Sequence, residues 1–224
     1  MTLPSDLKQF INDNLKQDIN TLALKKNPFP DYEWSWILNQ IQAKQKAEKK
    51  LPTWFVNDDV IFPSTLSIEQ TSSETLAKFK SELISGEKLI DLTGGFGVDD
   101  FYFAKRFKEV IHCEFQDDLS TIVQHNFNVL NVDNIETVSG DSISYLEKST
   151  ESFDWIYIDP ARRDDKKTKV FLLKDCTPNV VELHDLLFEK SDNILIKVAP
   201  LLDISSILNE LSNVKTIYAI GLQN

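Results

Sequence analysis

The chain has 224 residues, with 42% hydrophobic and 26% charged side chains, a balance that excludes a disordered chain and fits one α/β domain with a small appendage. Its net charge of −11 argues against a polyanion as partner. No apolar run approaches the roughly 20 residues of a membrane span, and the first residues lack the layout of a signal peptide. We therefore expect no membrane contact. The two cysteines, Cys113 and Cys176, lie far apart and have no metal-binding spacing, so we expect reduced thiols in a cytoplasmic protein and no bound metal.

The N-terminal region, residues 1–60, is predicted to be helical. Apolar residues recur at spacings of three and four, as one helix face requires, at Leu7, Phe10, Ile11, Leu15, Ile19 and Leu22. After a break at residues 27–30, a second helix is predicted from Tyr32 to Lys50. We interpret the lysines near its end as a solvated helix terminus rather than an RNA-facing patch; they are Lys44, Lys46, Lys49 and Lys50. Residues 1–52 hold 8 Lys and 6 Asp or Glu, a balance of +2, so the rest of the chain carries −13.

Residues 61–224 are predicted to form a Rossmann-like sheet. Six short apolar runs alternate with stretches that are mostly long enough for helices; the runs are residues 88–92, 109–114, 135–138, 155–158, 193–198 and 214–220. This rhythm is typical of βαβ units, and runs without strict alternation predict parallel strands covered on both faces.

The strongest candidate site is the turn after the first predicted strand, which reads Asp91-Leu92-Thr93-Gly94-Gly95-Phe96-Gly97-Val98-Asp99. Glycines let the backbone pass close under a ligand. The spacing is not the G-x-G-x-x-G of dinucleotide enzymes, and two carboxylates beside a pyrophosphate would repel it. They suit the cationic amino group of S-adenosylmethionine better. We therefore predict that the turn binds this cofactor through Asp91, Thr93, Gly94, Gly95, Gly97 and Asp99.

Further acids follow the next two predicted strands. Glu114, with Phe115 after it, closes the second strand, where a carboxylate can accept from both ribose hydroxyls of an adenosine. Asp141 and Ser142 follow the third strand and are predicted to face the adenine. Before the first strand, residues 66–74 are typical of the start of a helix capped by Ser72 or Ser73. This position would place Gln70, Thr71 and Ser72 over the methionine end of the cofactor.

The fourth predicted strand ends in Asp159-Pro160-Ala161-Arg162-Arg163, where we expect the catalytic edge. Asp159 would accept a hydrogen bond from a target amine beside Pro160, and the Arg162 guanidinium could stack on a base or hold a phosphate. An ion pair of Arg162 or Arg163 with Asp164 or Asp165 is the alternative. Lys197 could face the same pocket, although a lysine that reaches out to solvent is the preferred interpretation. The three histidines share no metal spacing and are interpreted as structural, and Trp54 as a packing residue that could line the site.

The chain resembles class I methyltransferases of Bacteroidetes-type bacteria that carry a C-terminal THUMP-like domain. Three segments carry this resemblance: residues 69–74, 91–99 and 159–163. The resemblance implies S-adenosylmethionine as methyl donor, a THUMP-like domain after Asn224, and RNA as substrate. This domain would agree with the strand pattern: a Rossmann-like methyltransferase sheet normally carries a seventh, antiparallel strand, and with six predicted strands we expect a sheet truncated at its C-terminal end. A more distant similarity to the trimethylguanosine synthase group fails at Ala161 and Arg162, where that group has Pro-Trp.

The leading hypothesis is therefore a methyltransferase that acts on an RNA base, with an exocyclic amine as acceptor. Three alternatives stay open: an NAD-type oxidoreductase, a module that binds S-adenosylmethionine without transferring methyl, and a methyltransferase of a small molecule or protein. Asp159→Ala separates catalysis from binding alone. The sequence does not predict an oligomeric state.

Overall fold

The computed structural model describes residues 3–162, 172–199 and 202–221, with the backbone alone described at Arg162. The strands are β1 Gly86–Asp91, β2 Phe107–Glu114, β3 Ile135–Ser139, β4 Trp155–Ile158, β5 Ala161–Arg162, β6 Cys176–Thr177 and β7 Ile194–Ile196. The helices are α1 Ser5–Asp13, α2 Ile19–Ala23, α3 Trp34–Lys50, α4 Pro52–Phe55, α5 Thr65–Gln70, α6 Glu74–Glu82, α7 Val98–Phe103, α8 Asp117–Val129, α9 Ser142–Lys148, α10 His184–Lys190 and α11 Ile204–Glu210.

Five strands form one parallel sheet in the order β3-β2-β1-β4-β7, and β5 and β6 form a separate antiparallel pair. In the register, Ile90 lies opposite Ile111 on β2 and Ile156 on β4. The Rossmann-like α/β fold is thus confirmed. Because all five strands run the same way, their carboxyl ends lie at one edge, where ligands bind in such sheets.

Both faces of the sheet are buried, as the continuous apolar runs predict. Alternate residues of each strand point to opposite faces. Leu89, Val110 and Tyr157 pack with Phe103 of α7 on one face. On the other face, a second cluster contains Ile90, Ile111, Ile156, Leu146 and Leu187, of which the last two lie on α9 and α10.

The N-terminal helices have a small core of their own but also continue into the core of the sheet. The first part of α3 packs with α1 and α2 through Ile37 and Ile41, whereas Ala43 and Ala47 join a cluster that includes residues of α7 and α8. The Asn126 side chain also bonds both backbone groups of Ile61 at 2.9 Å. Packing is therefore continuous across residue 60, and the division of the chain into two domains there stays a prediction.

Two predicted elements are wrong. The helical face predicted from Leu7 to Leu22 is divided between two helices, α1 and α2. The Asn14 side chain donates to the Phe10 carbonyl at 2.7 Å, at the end of α1. Asp18 starts a new helix, because its side chain accepts from the Thr21 N–H at 2.9 Å. Residues 214–220 form no strand: in the described part of the chain the sheet ends at β7, and nothing there pairs with this segment. None of the described helices has the length and hydropathy required to cross a membrane.

Candidate functional site

The glycine-rich turn joins β1 to α7 and needs its glycines for two reasons. Gly95 and Gly97 have φ angles of 55° and 74°, in the left-handed region. A Cβ on Gly94 would lie 2.2 Å from the His112 ring, and a Cβ on Gly97 would lie 2.6 Å from Phe127. The turn is therefore fixed by contact with β2 and α8 beneath it.

Thr93 connects the ends of β1 and β4. Its N–H and hydroxyl donate to Asp91 Oδ1 at 2.7 and 3.0 Å. The same hydroxyl accepts from the Asp159 N–H at 2.7 Å. Asp91, Thr93 and Asp159 thus belong to one hydrogen-bonded chain across the carboxyl edge of the sheet.

A carboxyl group that the sequence reasoning missed lies under the turn. Asp100 is fully buried and bonds His112 Nδ1 at 2.5 Å. Burial raises the pKa of Asp91 and of Asp100 well above the ordinary value, and the charge of neighbouring acids raises both further. Burial lowers the pKa of His112, which therefore favours the neutral ring. A histidine inside an apolar strand was the signal that a buried polar partner should be sought.

Asp99 lies in the first turn of α7 and is held by three donors. Its Oδ2 accepts from Lys80 Nζ at 2.5 Å, Tyr157 OH at 2.9 Å and Ser72 Oγ at 3.0 Å. The structure thus brings the predicted Ser72 and Asp99 together, although Asp99 also has a cation of its own. Lys80 was not predicted, since nothing in the local sequence distinguishes it from an exposed helical lysine.

Glu114 ties the end of β2 to the glycine-rich turn. Its two oxygens accept from the N–H of Gly95 at 3.0 Å and of Gln116 at 2.8 Å. Phe115, next to it, has 76% of its surface exposed, which is unusual for a phenylalanine. An exposed ring beside a carboxylate is a suitable surface for an adenosine.

Asp141 caps α9. It accepts from the Ile143 N–H at 3.0 Å and from Ser144 Oγ at 2.8 Å, and the bond from Ser144 is the main cause of its lowered pKa. The preceding Gly140 donates to the Glu114 carbonyl at 2.9 Å, so the loop that contains Asp141 and Ser142 adjoins the end of β2.

Gln70 and Thr71 lie at the end of α5, directly before Ser72, and Ser73 caps α6 by accepting from the Leu76 N–H at 3.3 Å. The helix start predicted here is confirmed, with Ser73 as the cap.

Asp159 lies at the end of β4 and pairs with Lys197 after β7, Nζ to Oδ2, at 2.7 Å. The interpretation of Lys197 as reaching out to solvent is therefore wrong. Burial raises the pKa of Asp159, and the Lys197 ammonium partly offsets that rise. Pro160 is buried next to it. The Arg162 side chain and Arg163 lie outside the described residues, and so does the proposed ion pair of these arginines.

The lysines near the end of α3 are not simply a solvated terminus. Lys44 is buried and pairs with Asp58 at 2.6 Å, and Lys46 pairs with Glu69. Lys50 donates to the Ile68 and Glu69 carbonyls at 2.8 and 2.7 Å, at the end of α5. The contacts of Lys46 and Lys50 hold α5 in place, and that of Lys44 holds the segment between α4 and α5.

Trp54 is a packing residue: it is 1% exposed and its ring meets the rings of Phe96 and Phe101. No cluster of His, Cys, Asp or Glu among the described residues has the arrangement of a metal site.

Comparison with known proteins supports the assignment of the fold. No protein-family model matches the chain. The chain is 28% identical over 177 residues to an uncharacterised RNA methyltransferase of Mycoplasma mobile, covering 75% of this chain and 47% of that protein. It is 32% identical over 139 residues to the tRNA (uracil(54)-C(5))-methyltransferase of Pyrococcus horikoshii, covering 57% of this chain and 33% of that protein.

A solved structure gives the more extensive match. The crystal structure of a proposed methyltransferase from Porphyromonas gingivalis W83 superposes with a TM-score of 0.79 at 28% identity, covering 94% of this chain and 53% of that chain. The chain thus has the fold of a methyltransferase, and it spans about half or less of the length of these relatives.

Proposed function

We propose that the chain is an S-adenosylmethionine-dependent methyltransferase that acts on an RNA base. The observation that carries this proposal is the set of carboxyl groups around one turn. Asp91 and Glu114 end the neighbouring parallel strands β1 and β2, and Asp99 lies in the first turn of the helix that follows the glycine-rich turn. Asp99 Oδ1 is buried without a hydrogen-bond partner among the described residues. Such a site suits a cation and is unfavourable for a pyrophosphate, which disfavours the NAD-type alternative.

The residues present fit the parts of this cofactor. Asp99 and Ser72 would hold the methionine amino group, Glu114 the ribose, and Phe115 with Asp141 the adenine. The bound cofactor supplies a methyl group already activated by its sulfonium. The protein therefore has to align the acceptor and exclude water.

Asp159 is the group that would orient the acceptor. Its carboxylate can accept from an exocyclic amine and later take its proton, while Thr93 and Lys197 fix its backbone and side chain. The names of the relatives support RNA as the substrate.

An amine is favoured over a ring carbon because of the cysteines. Methylation at carbon 5 of a uracil requires a nucleophile to add to the neighbouring carbon, and a thiolate is the usual choice. The chain has two cysteines, and both are buried. Burial raises the pKa of Cys113, which makes it unreactive. The cytoplasmic location and the THUMP-like companion domain stay predictions from sequence alone.

The test is transfer of labelled methyl from S-adenosylmethionine to bulk RNA from a strain that lacks the gene, with Asp159→Ala as the comparison. Label in RNA that is lost in the variant, with cofactor binding retained, supports the proposal, and nuclease mapping then identifies the base. Cofactor binding with unlabelled RNA would reject RNA and turn attention to proteins and small molecules. Binding of NAD in place of the methyl donor would reject the enzyme class.

A further inference from the structure

Lys80 is a buried lysine next to the proposed cofactor site. It lies on α6 and is 3% exposed. Its ammonium donates to Asp99 Oδ2 at 2.5 Å, Tyr157 OH at 2.6 Å and Ser72 Oγ at 2.9 Å. An ammonium has three donors, so the contacts in this structure use all of them. Taking a lysine out of water is costly unless such partners compensate for the lost hydration.

The three partners come from three separate parts of the site. Ser72 precedes α6, Asp99 lies in the first turn of α7 after the glycine-rich turn, and Tyr157 lies on β4 two residues before Asp159. Ser72 and Tyr157 also bond Asp99 Oδ2 directly. Lys80 is thus the centre of a network that joins the methionine end of the site to the strand that carries the proposed catalytic aspartate.

The network uses only one oxygen of Asp99. Oδ2 accepts from all three groups, whereas Oδ1 is buried with no partner in the described part of the chain. A carboxylate held in this way cannot rotate its free oxygen away without breaking three bonds. That oxygen is available to a cationic donor.

The surrounding charges explain why a cation is needed at this place. Asp99 has two buried acidic neighbours, Asp91 and Asp100, and its charge raises the pKa of both. Without the Lys80 ammonium, three carboxyl groups would share one buried space with no cation between them, and like charges repel. The Asp99 carboxylate would also lose the charged hydrogen bond that fixes its orientation.

We propose that Lys80 is a positioning residue that fixes Oδ2 of Asp99 and thereby directs its Oδ1 at the amino group of the methyl donor. The inference rests on the proposed function and adds a residue that acts only on the amino-acid end of the cofactor. Lys80 itself does not touch the ligand.

The test compares two ligands that share the adenosine and the thioether sulfur. S-adenosylhomocysteine has the amino-acid group, and methylthioadenosine has a methyl in its place. For Lys80→Met we expect the affinity for S-adenosylhomocysteine to fall about 10-fold or more, which is the usual effect of losing a charged hydrogen bond. The affinity for methylthioadenosine should change less than about 2-fold. Lys78→Met is the matched control, since Lys78 is exposed on the same helix, and it should change neither affinity.

Tyr157→Phe and Ser72→Ala each remove one donor to Asp99. Each should lower the affinity for S-adenosylhomocysteine relative to that for methylthioadenosine, by a smaller factor than Lys80→Met. The proposal can therefore be tested even if Lys80→Met does not fold. Equal losses for both ligands in these variants would show a merely structural role and overturn the inference. If the unaltered protein binds neither ligand, the proposed function itself fails.

Discussion

Replacing Gly94 by alanine tests the packing beneath the cofactor turn. The new Cβ would lie 2.2 Å from Nδ1 and Cε1 of His112, against roughly 3.5–4.0 Å for a normal carbon contact. One of the two groups must therefore move by more than 1 Å. Gly94 has no unusual φ, so the effect comes from the contact alone.

The imidazole has little room to move. His112 is fully buried, bonds Asp100 at 2.5 Å and lies edge-on to the Phe127 ring. Overpacking costs about 1–3 kcal/mol, and weakening a buried bond to a carboxyl group costs about 1.5–3 kcal/mol. We expect Gly94→Ala to lower the free energy of unfolding by about 3 kcal/mol, measured by urea denaturation at pH 7.

A double-mutant cycle identifies the cause. His112→Ala removes the ring that Gly94→Ala collides with, so the double variant should be more stable than the sum of the two losses predicts, by about 1 kcal/mol or more. Gly95→Ala is the control: it meets only the Thr93 carbonyl, at 3.8 Å, and has a positive φ, so its cost of about 1 kcal/mol should be independent of His112. Strictly additive losses for Gly94 and His112 would refute the steric argument.

Three further predictions concern other parts of the molecule. Lys197→Met removes the cation that lowers the pKa of Asp159, so the acidic limb of the pH–rate profile should move to higher pH. An unchanged limb would mean that Asp159 is not the titrating group. Glu74→Ala leaves the Thr53 N–H and the Tyr102 hydroxyl without their acceptor and should cost about 2–3 kcal/mol in urea unfolding, whereas the exposed neighbour Thr75→Ala should cost little. Trp54→Ala should cost about 3–5 kcal/mol, and a loss below about 1 kcal/mol would show that its cluster relaxes around the cavity.

Residues that follow parallel strands could be predicted from the sequence. Asp91, Glu114 and Asp159 each stand at the end of an apolar run, and the ends of parallel strands meet at one edge. The local pattern therefore determines which edge these side chains lie at. Their charge is the reason for predicting a cationic ligand.

Residues that reach the site from helices could not be predicted. Lys80 is one of two lysines on the amphipathic helix α6, and its burial depends on how α6 is rotated against α7 and β4. Lys197 follows β7, and the sequence left open that it faces the pocket, but its partner Asp159 lies 38 positions earlier in the chain, so the local pattern did not identify the ion pair. A long lysine side chain can donate to water or to a distant partner, and only the packing of the fold decides between them.

The failed strand at residues 214–220 has a different cause. An apolar run predicts a strand only if a neighbour satisfies its backbone groups. Here the Ile217, Tyr218 and Ile220 side chains remain 44–53% exposed, and Tyr218 packs edge-on to Phe79 of α6. Pairing partners are a property of the whole sheet, which a single segment does not encode.

The net charge also has to be interpreted again. The formal value of −11 counts every carboxyl group as ionised, whether it is buried or exposed. Burial raises the pKa of Asp91 and Asp100, so these two groups contribute less negative charge than the formal value assigns to them. These acids form the interior of the site and repel no polyanion at the surface. An argument from charge against an RNA substrate therefore applies only to the exposed carboxylates, and it is weaker than the composition indicates.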